Sequence, residues 1–342
     1  MIAIDGIVFS LQEQGGVSVY FHRLLDHLKQ QGEPVTLTLE DPVRQEAGGG
    51  GGRLSVTRRC ARLLERYRRC RVPVGAAVFH SSYYRRPDAE SLPTVVTVHD
   101  FVYERFSTGP RRWAHVWQKH AAIRAANAII CVSASTRDDL LAYVGIREGQ
   151  SIHVIPNGVA EVFRCVEHSI SLRPFVLYVG QRGGYKNFDL LLRAMAWLPD
   201  FALHCVGGGV FRPGELRGVT DSVARRVKHL GFVDDEALNA LYNQAACLVY
   251  PSAYEGFGIP VVEAMRAGCP VVSVACRAVM EVGRDALTIA EELDPRALAD
   301  AILKTVSVDR SSLIERGLSV AADYSWDKTH AQTLAVYRSL AG

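Results

Sequence analysis

Residues 250–274 read YPSAYEGFGIPVVEAMRAGCPVVSV, and the fold can be worked out from this stretch. Pro260 suits the first turn of a helix, where a missing N–H costs nothing. Gly268 suits the left-handed stop after the last turn. Pro270 then blocks further helix, and Val271, Val272 and Val274 read as a buried strand. The elbow Gly256-Phe257-Gly258-Ile259 thus opens into a helix whose first N–H groups and positive dipole end suit a diphosphate. Glu255 and Glu263 flank this elbow with seven residues between them. Glu263 lies about one turn into the helix. Its side chain leans back toward the helix start, within reach of a sugar beside bound phosphates. Glu255 comes from the loop and is expected to face the same space.

Outward from this block, strand and helix signals alternate along the whole chain. In the first half the expected strands are Ile2–Val8, Val35–Leu39, Ala76–Phe79, Thr94–Val98 and Ala128–Val132. In the second half they are Phe175–Val179, Ala202–Val206, Cys247–Tyr250, Val271–Val274 and Leu287–Ile289. Between them fall helices such as Val17–Gln31, whose Tyr20, Phe21, Leu24, Leu25 and Leu28 make one apolar face. Strands separated by helices imply parallel sheets covered on both faces. Ligands of such sheets bind beyond the carboxyl ends of the strands. A chain of 342 residues is long for one core, so two domains are expected, over 1–165 and 166–325. The final helix, from Trp326, is expected to return to the first domain. Its Trp326, Leu334, Tyr337 and Leu340 would be excess apolar surface on a completed second domain.

Composition narrows the class. Apolar content of 48% and charged content of 22% are ordinary for a globular protein. No apolar run approaches the ~18 residues of a membrane span. The N-terminus enters a strand directly, without the pattern of a signal peptide, so a cytoplasmic protein is expected. The eight cysteines form no C-x-x-C pair and no histidine cluster accompanies them, so neither structural zinc nor disulfides are expected. Charge is concentrated in residues 53–71, RLSVTRRCARLLERYRRCR, with eight arginines against one glutamate. Val56, Cys60, Leu63, Leu64 and Tyr67 recur at helical spacing there, which predicts an arginine-faced amphipathic helix. Such a helix either lies on an anionic membrane at the inner face or is simply a solvated face. No stacking aromatics interleave with it as in single-strand binders, so no nucleic acid is expected. The preceding run, Gly48 to Gly52, reads as a flexible loop.

Four segments in order carry a resemblance to a family. They are QGGVSVYFHRLLDHL (14–28), TVVTVHDFVYERF (94–106), CVSASTRDDLL with HVIPNGV (131–141 and 153–159), and FVLYVGQRGGYKN (175–187) with the EGFGIPVVEA block. Together they resemble the retaining glycosyltransferases of the GT-B fold, family four. The resemblance implies an α/β architecture of two Rossmann-like doubly wound domains facing across a cleft. The first domain would bind the acceptor and the second a nucleotide sugar.

The resemblance also implies roles for particular residues. Glu255 would lie by the donor sugar and Glu263 on the ribose hydroxyls. Arg182 and Lys186 would grip the donor diphosphate and balance charge on the leaving group. Gly15 and Gly16 would let backbone approach the donor. His99 would face the reacting sugar, and the backbone of Phe232 and Val233 would contact the base. Ser133 and Asn157 would line the cleft. Plainer readings exist for several: His99 as a core histidine, Ser133 as a cap, the two cations as loop charges. Asp100 reads as a partner of local backbone. The run VGGGV at 206–210 lacks the lysine and serine of a phosphate loop and reads as a strand-end turn.

The physical reading agrees with these roles. A departing pyrophosphate needs cations or N–H donors aimed at developing charge. The chain has no D-x-D, so Arg182, Lys186 and the helix start near Ile259 are expected to act in place of a metal ion. The implied reaction is metal-independent transfer of a hexose, with retention, from a nucleotide sugar to a glycan or lipid-linked acceptor of polysaccharide or O-antigen type. The segment QRGGYKN favours GDP-mannose as donor, with UDP-hexoses beside it. No separate cofactor is expected. Alternatives are a catalytically silent nucleotide-binding module and a nucleotide-sugar epimerase.

Overall fold

A computed structural model describes residues 1–12, 15–41, 54–62, 64–166 and 174–342. The chain divides into two compact units, Met1–Gly158 with Trp326–Gly342, and Val159–Ser325. Each is built on one parallel sheet.

The first unit holds strands β1 (Ile2–Asp5), β2 (Val35–Asp41), β3 (Leu54–Cys60), β4 (Val78–Ser81), β5 (Thr94–Val98), β6 (Ala128–Cys131) and β7 (Ser151–Val154). They lie side by side in the order β3-β2-β1-β4-β5-β6-β7. Helices α1 (Ile7–Leu11), α2 (Gly16–Gln30), α3 (Val102–Phe106), α4 (Pro110–Ala125) and α5 (Ala134–Tyr143) connect them. The core joins Ile2, Ile4, Val78, Val95 and Ile130 of the sheet to Phe21, Leu24 and Leu28 of α2. Leu334, Val336 and Tyr337 of the chain's last helix, Trp326–Ala341, enter the same core.

The second unit holds β8 (Phe175–Val179), β9 (Ala202–Val206), β10 (Val227–His229), β11 (Cys247–Tyr250), β12 (Val271–Val274) and β13 (Leu287–Ala290), in the order β10-β9-β8-β11-β12-β13. Its helices are α6 (Phe188–Ala194), α7 (Asp221–Ala224), α8 (Asp235–Gln244), α9 (Ile259–Arg266), α10 (Arg277–Gly283), α11 (Pro295–Ser307) and α12 (Arg310–Ala321); the returning helix is α13. Val176, Leu203, Val249, Val272 and Val274 of the sheet pack with Leu191, Leu298 and Ile302 of α6 and α11. Both sheets run outward in opposite directions from a central pair, β1/β4 in one and β8/β11 in the other. That reversal creates a crevice at the carboxyl ends of the central strands.

The arginine-rich segment is not the helix that its spacing predicts. Its first part is the edge strand β3, paired in parallel with β2 from Leu54 opposite Val35 to Cys60 opposite Asp41. Val56 and Thr57 are β-branched and fit a strand. A run of ladder hydrogen bonds on an open edge outweighs a 3.6-residue period that has no apolar partner surface. Arg58 and Arg59 then lie on the outermost strand, where charge discourages further pairing. The chain continues into a short 3-10 turn, Glu65–Tyr67. The expected Gly48–Gly52 loop, Arg53 and Leu63 lie outside the described residues.

β1 also stops earlier than expected, at Asp5 instead of Val8. The Asp5 carboxylate accepts the N–H of Ile7 at 3.2 Å and turns the chain into α1. At Gly6 a Cβ would stand 2.6 Å from the carbonyl oxygen of Thr38, so the turn passes directly against β2.

Candidate active site

In the second unit the loops after β8 and β11 are tied together. The N–H of Ala253 donates to the Tyr185 carbonyl at 2.8 Å. The Asn187 side-chain amide donates to the Pro251 carbonyl at 3.0 Å, with Asn187 itself in the left-handed region at φ 50°. This places Lys186 against Glu255: Nζ donates to Oε1 at 2.5 Å, and 15% and 12% of the two side chains remain exposed. An ion pair thus sits at the crevice where β8 and β11 diverge.

The elbow follows. Phe257 is buried, edge-on to Tyr324 at 5.6 Å between ring centroids. Gly258 caps α9 at φ 103°, a backbone that only glycine adopts readily. Ile259 and Pro260 form the first turn, as the glycine and proline spacing predicts.

Glu263 projects from α9 and is half-buried. It does not share a partner with Glu255. The Tyr242 hydroxyl of α8 donates to its Oε2 at 3.0 Å. Burial pushes the Glu263 carboxyl up to about 7, with the Tyr242 hydrogen bond opposing and the charge of Asp235 assisting.

Arg182 is held elsewhere. Its Nε donates to Glu215 at 2.7 Å, and its terminal nitrogens donate to the carbonyls of Gly207, Gly208, Gly209 and Val210 at 2.8, 3.2, 2.6 and 3.1 Å. Gly207, Gly208 and Gly209 all have positive φ, and a Cβ on Gly208 would stand 2.7 Å from the guanidinium. The strand-end turn at 206–210 is therefore a carbonyl cradle around Arg182. The structure brings Lys186 and Glu255 together and sets Arg182 in a different polar cluster.

Phe232 and Val233 follow β10, with the Phe232 ring 72% exposed. Gly231 preceding them has φ 74° and accepts the N–H of Gly207 at 2.9 Å. That bond links this stretch to the cradle.

In the first unit His99 follows β5. It is half-buried, edge-on to Tyr20 at 5.2 Å, and its Nε2 is enclosed with no hydrogen-bond partner among the described residues. Burial lowers its pKa to about 4, so the imidazole is neutral near pH 7. Asp100 accepts the N–H of Val102 at 3.0 Å, the local backbone role expected of it. The buried Lys119 of α4 fastens the same loop, donating to the Asp100 carbonyl at 2.5 Å and pairing with Glu104 at 3.0 Å.

Gly15 caps α2 in an extended conformation at φ −179°, and its carbonyl accepts from Ser18 at 2.9 Å. Gly16 is the first residue of α2. Ser133 caps α5, accepting the N–H of Thr136 at 3.0 Å, so the plainer reading describes its hydrogen bond. Asn157 is buried, and its Oδ1 lacks a partner among the described residues.

Some residues of this arrangement escape a sequence reading. Tyr242 partners Glu263 across 21 positions, Glu215 partners Arg182 across 33, and Ser252 after β11 has a buried hydroxyl without a partner among the described residues. Tyr242 and Glu215 lie in no local motif, and only the fold brings each to its partner; Ser252 stands inside the 250–274 stretch, where nothing in the sequence marks its burial.

These features are those of a GT-B glycosyltransferase, and the family comparisons agree. Residues 14–161 match the model Glycosyltransferase Family 4, and residues 173–307 match the model Glycosyl transferases group 1. The chain belongs to this glycosyltransferase family and is an enzyme of the transferase class. It is 28% identical over 330 residues to O-antigen chain mannosyltransferase B of Escherichia coli, covering 88% of this chain and 87% of that protein. It is 27% identical to serotype-specific mannosyltransferase WbdA of Escherichia coli over 72% of this chain and 34% of that protein's length. Among solved structures, sucrose-phosphate synthase from Thermosynechococcus elongatus matches with TM-score 0.78 at 21% identity, over 99% of this chain and 98% of that one. WaaG, a glycosyltransferase involved in lipopolysaccharide biosynthesis, matches with TM-score 0.71 at 15% identity, over 98% and 99%. At these identities the two structures speak for the fold.

Proposed function

We propose that this glycosyltransferase moves a hexose, mannose in the first instance, from a nucleoside diphosphate sugar to a hydroxyl of a glycan or lipid-linked glycan. Transfer proceeds with retention at the anomeric carbon and without a metal ion. The observation that carries this reading is the Lys186–Glu255 pair at the β8/β11 crevice, beside the start of α9, which no side chain caps. An ammonium and a helix start together offset charge that develops on a leaving pyrophosphate. Glu255 keeps Lys186 oriented and lies where the sugar attached to that diphosphate would be held.

Glu263 takes the ribose hydroxyls, as an acceptor when ionised and as a donor when protonated. The backbone at Phe232 and Val233 takes the base. Arg182 reaches a phosphate only by releasing part of its carbonyl cradle, so its share in the proposal is smaller than that of Lys186. Gly15, Gly16, Ser133 and Asn157 serve the donor from the first unit. His99, neutral there, offers a hydrogen bond to the reacting sugar. Mannose is favoured by the names of the relatives, and the segment QRGGYKN puts GDP-mannose ahead of UDP-hexoses as donor.

The test is a thermal-shift screen against GDP, UDP, ADP and their sugars, followed by transfer to a glycan acceptor. A donor at about 100 times its dissociation constant adds roughly 2.7 kcal/mol. The anomeric configuration of the product is read by NMR. An inverted anomer removes retention, and loss of transfer in EDTA removes metal independence. A screen in which no nucleotide sugar shifts the melting temperature removes the donor class.

A further inference from the structure

We propose that Arg182 is a positioning residue for the nucleoside end of the donor, acting through the glycine turn 207–210 and not on the diphosphate. A guanidinium carries five N–H donors in a fixed fork. Here Nε is taken up by Glu215, one terminal nitrogen by the Gly207 carbonyl, and the other is shared among the carbonyls of Gly208, Gly209 and Val210. Aromatic rings complete the enclosure. The guanidinium carbon lies 4.5 Å from the centre of the Phe211 ring and 5.8 Å from that of Phe188, and the two rings stack at 6.2 Å. Only 3% of the Arg182 side chain is exposed, against 15% for Lys186 in its pair with Glu255.

The turn depends on the arginine at its centre. Gly207, Gly208 and Gly209 follow one another at φ 81°, 72° and 70°, a run of left-handed backbone that glycine adopts most readily. The run aims the carbonyl oxygens of residues 207–210 at one guanidinium. Enclosed acceptors without a donor destabilise a fold, so the turn keeps this shape only around a group with several donors. Lysine, a point charge with three donors, does not reproduce the fork. Glu215 fastens the far end of the segment: its Oε2 accepts the Arg212 N–H at 2.8 Å while its Oε1 accepts from Arg182. The chain from Gly207 to Glu215 is thus wrapped on Arg182.

The wrapped segment borders the stretch proposed for the base. The Gly207 N–H donates to the Gly231 carbonyl at 2.9 Å, and His229 Nε2 meets the Gly207 carbonyl at 3.2 Å. The His229 ring also packs on Phe211 at 5.5 Å. Val210 and Phe232 follow the neighbouring strands β9 and β10 and are 80% and 72% exposed. Exposed apolar side chains of this kind suit the flat face of a base. The gap between these strand ends lies two strand spacings, about 10 Å, from the β8/β11 crevice. A nucleoside on its diphosphate covers such a span. Arg182 therefore works at the nucleoside end and Lys186 at the phosphate end. This inference rests on the proposed nucleotide-sugar reading for the identity of the ligand.

The experiment is calorimetry of the full chain with GDP, UDP and inorganic pyrophosphate, in the unmodified protein and in Arg182→Lys, Arg182→Met and Gly208→Ala. Gly208→Ala leaves every charge in place but sets a Cβ 2.7 Å from the guanidinium and deforms the turn. All three variants should weaken binding of the preferred nucleoside diphosphate about tenfold, the loss of one or two hydrogen bonds, while pyrophosphate affinity holds. The double variant Arg182→Met, Gly208→Ala should bind no more weakly than either single one, because both act through one turn. Lys186→Ala should instead weaken nucleotide and pyrophosphate alike. Full affinity in Arg182→Lys, with nucleotide and pyrophosphate weakened alike in Arg182→Met, overturns the proposal, since a point charge on the phosphates would then suffice. Additive effects of Arg182→Met and Gly208→Ala overturn it as well. A readout without mutation covers a variant that does not fold: the Arg182 Nε–H resonance of the unmodified protein should keep its position and slow exchange when pyrophosphate is added, and its displacement counts against the proposal in the same way. Failure of the unmodified protein to bind GDP or UDP removes the nucleotide reading and this inference with it. Nucleotide binding with the overturning pattern refutes this inference alone.

Discussion

At the carboxyl ends of β1 and β4 one guanidinium is locked among three carboxylates. At the carboxyl ends of β8 and β11 one ammonium meets one carboxylate, and both keep some contact with solvent. Arg85, wholly buried, contacts Asp5 at 3.1 Å, Glu40 at 2.9 Å and Glu65 at 2.8 Å. Burial pushes the Asp5 carboxyl up to about 6, against the attraction of Arg85. Glu65 feels the same desolvation, yet its hydrogen bonds to Arg62 and the charge of Arg85 hold it down at about 2. The two sheets reverse direction at equivalent places, yet the first crevice is filled by its own charges while the second keeps its pair at a loop edge. The topology supplies a crevice twice, and side-chain chemistry makes the two differ; the proposed diphosphate belongs to the second.

The sharpest way to break this contrast is Arg85→Met. If the cluster is a structural plug, its removal leaves Asp5 and Glu40 buried without their cation. The expected loss is about 3–5 kcal/mol of unfolding free energy, read from denaturant melts. Transfer per folded molecule should stay near normal. A loss of donor affinity with stability unchanged would place a ligand in the first crevice and undo the contrast.

Lys186→Ala tests the other side. The melting temperature should move little, because a partly exposed ion pair contributes little to folding. The rate of transfer at saturating donor should fall about 10²–10³-fold, the usual cost of removing one charge-stabilising donor. Unchanged transfer would refute the phosphate role.

The pH dependence of stability sharpens the contrast further. Glu263 binds its proton more tightly in the folded chain, at about 7, than an unperturbed glutamate does at 4.5. Its contribution is therefore full below pH 4.5 and is lost as pH rises through 7. Melting temperature measured from pH 5 to 8 should fall more steeply in the unmodified protein than in Glu263→Gln, which has no proton to lose. Parallel curves would show that the carboxylate is solvated in the folded state.

How much of this was legible beforehand follows from the range of each interaction. Phe175–Val179, Ala202–Val206, Cys247–Tyr250 and Val271–Val274 were readable to the residue, because an apolar run bounded by Pro, Gly or polar residues is a local signal. The edge strands β7 and β10 leave no such signal. They are short and carry His153, Lys228 and His229, which give no apolar run. β3 was misread because arginines at helical spacing look the same whether the backbone is wound or extended, and only the open edge of β2 settles the matter. The Lys186–Glu255 pairing was within reach, since both residues stand in recognisable motifs. The cradle around Arg182 was not, because it depends on carbonyl oxygens, which every residue has and no sequence pattern marks.

The smallest expected effect concerns Tyr242, whose link to Glu263 no motif announces. Tyr242→Phe keeps the ring that packs on Phe163 at 5.9 Å and removes only the hydroxyl that donates to Glu263. A hydrogen bond to a charged group contributes about 1.5 kcal/mol or more, so affinity for the nucleoside diphosphate should weaken roughly tenfold. The hydrogen bond favours the ionised carboxylate, so its loss should also move the Glu263 titration upward. Calorimetric affinity for the nucleotide, measured across pH 6 to 9 in both proteins, separates these effects. A constant offset at every pH means that Tyr242 only aligns the carboxylate. An offset that narrows as pH rises means that it also sets the charge. No offset at any pH would mean that Glu263 meets the ribose without help from α8, leaving the Lys186 side of the crevice to hold the donor.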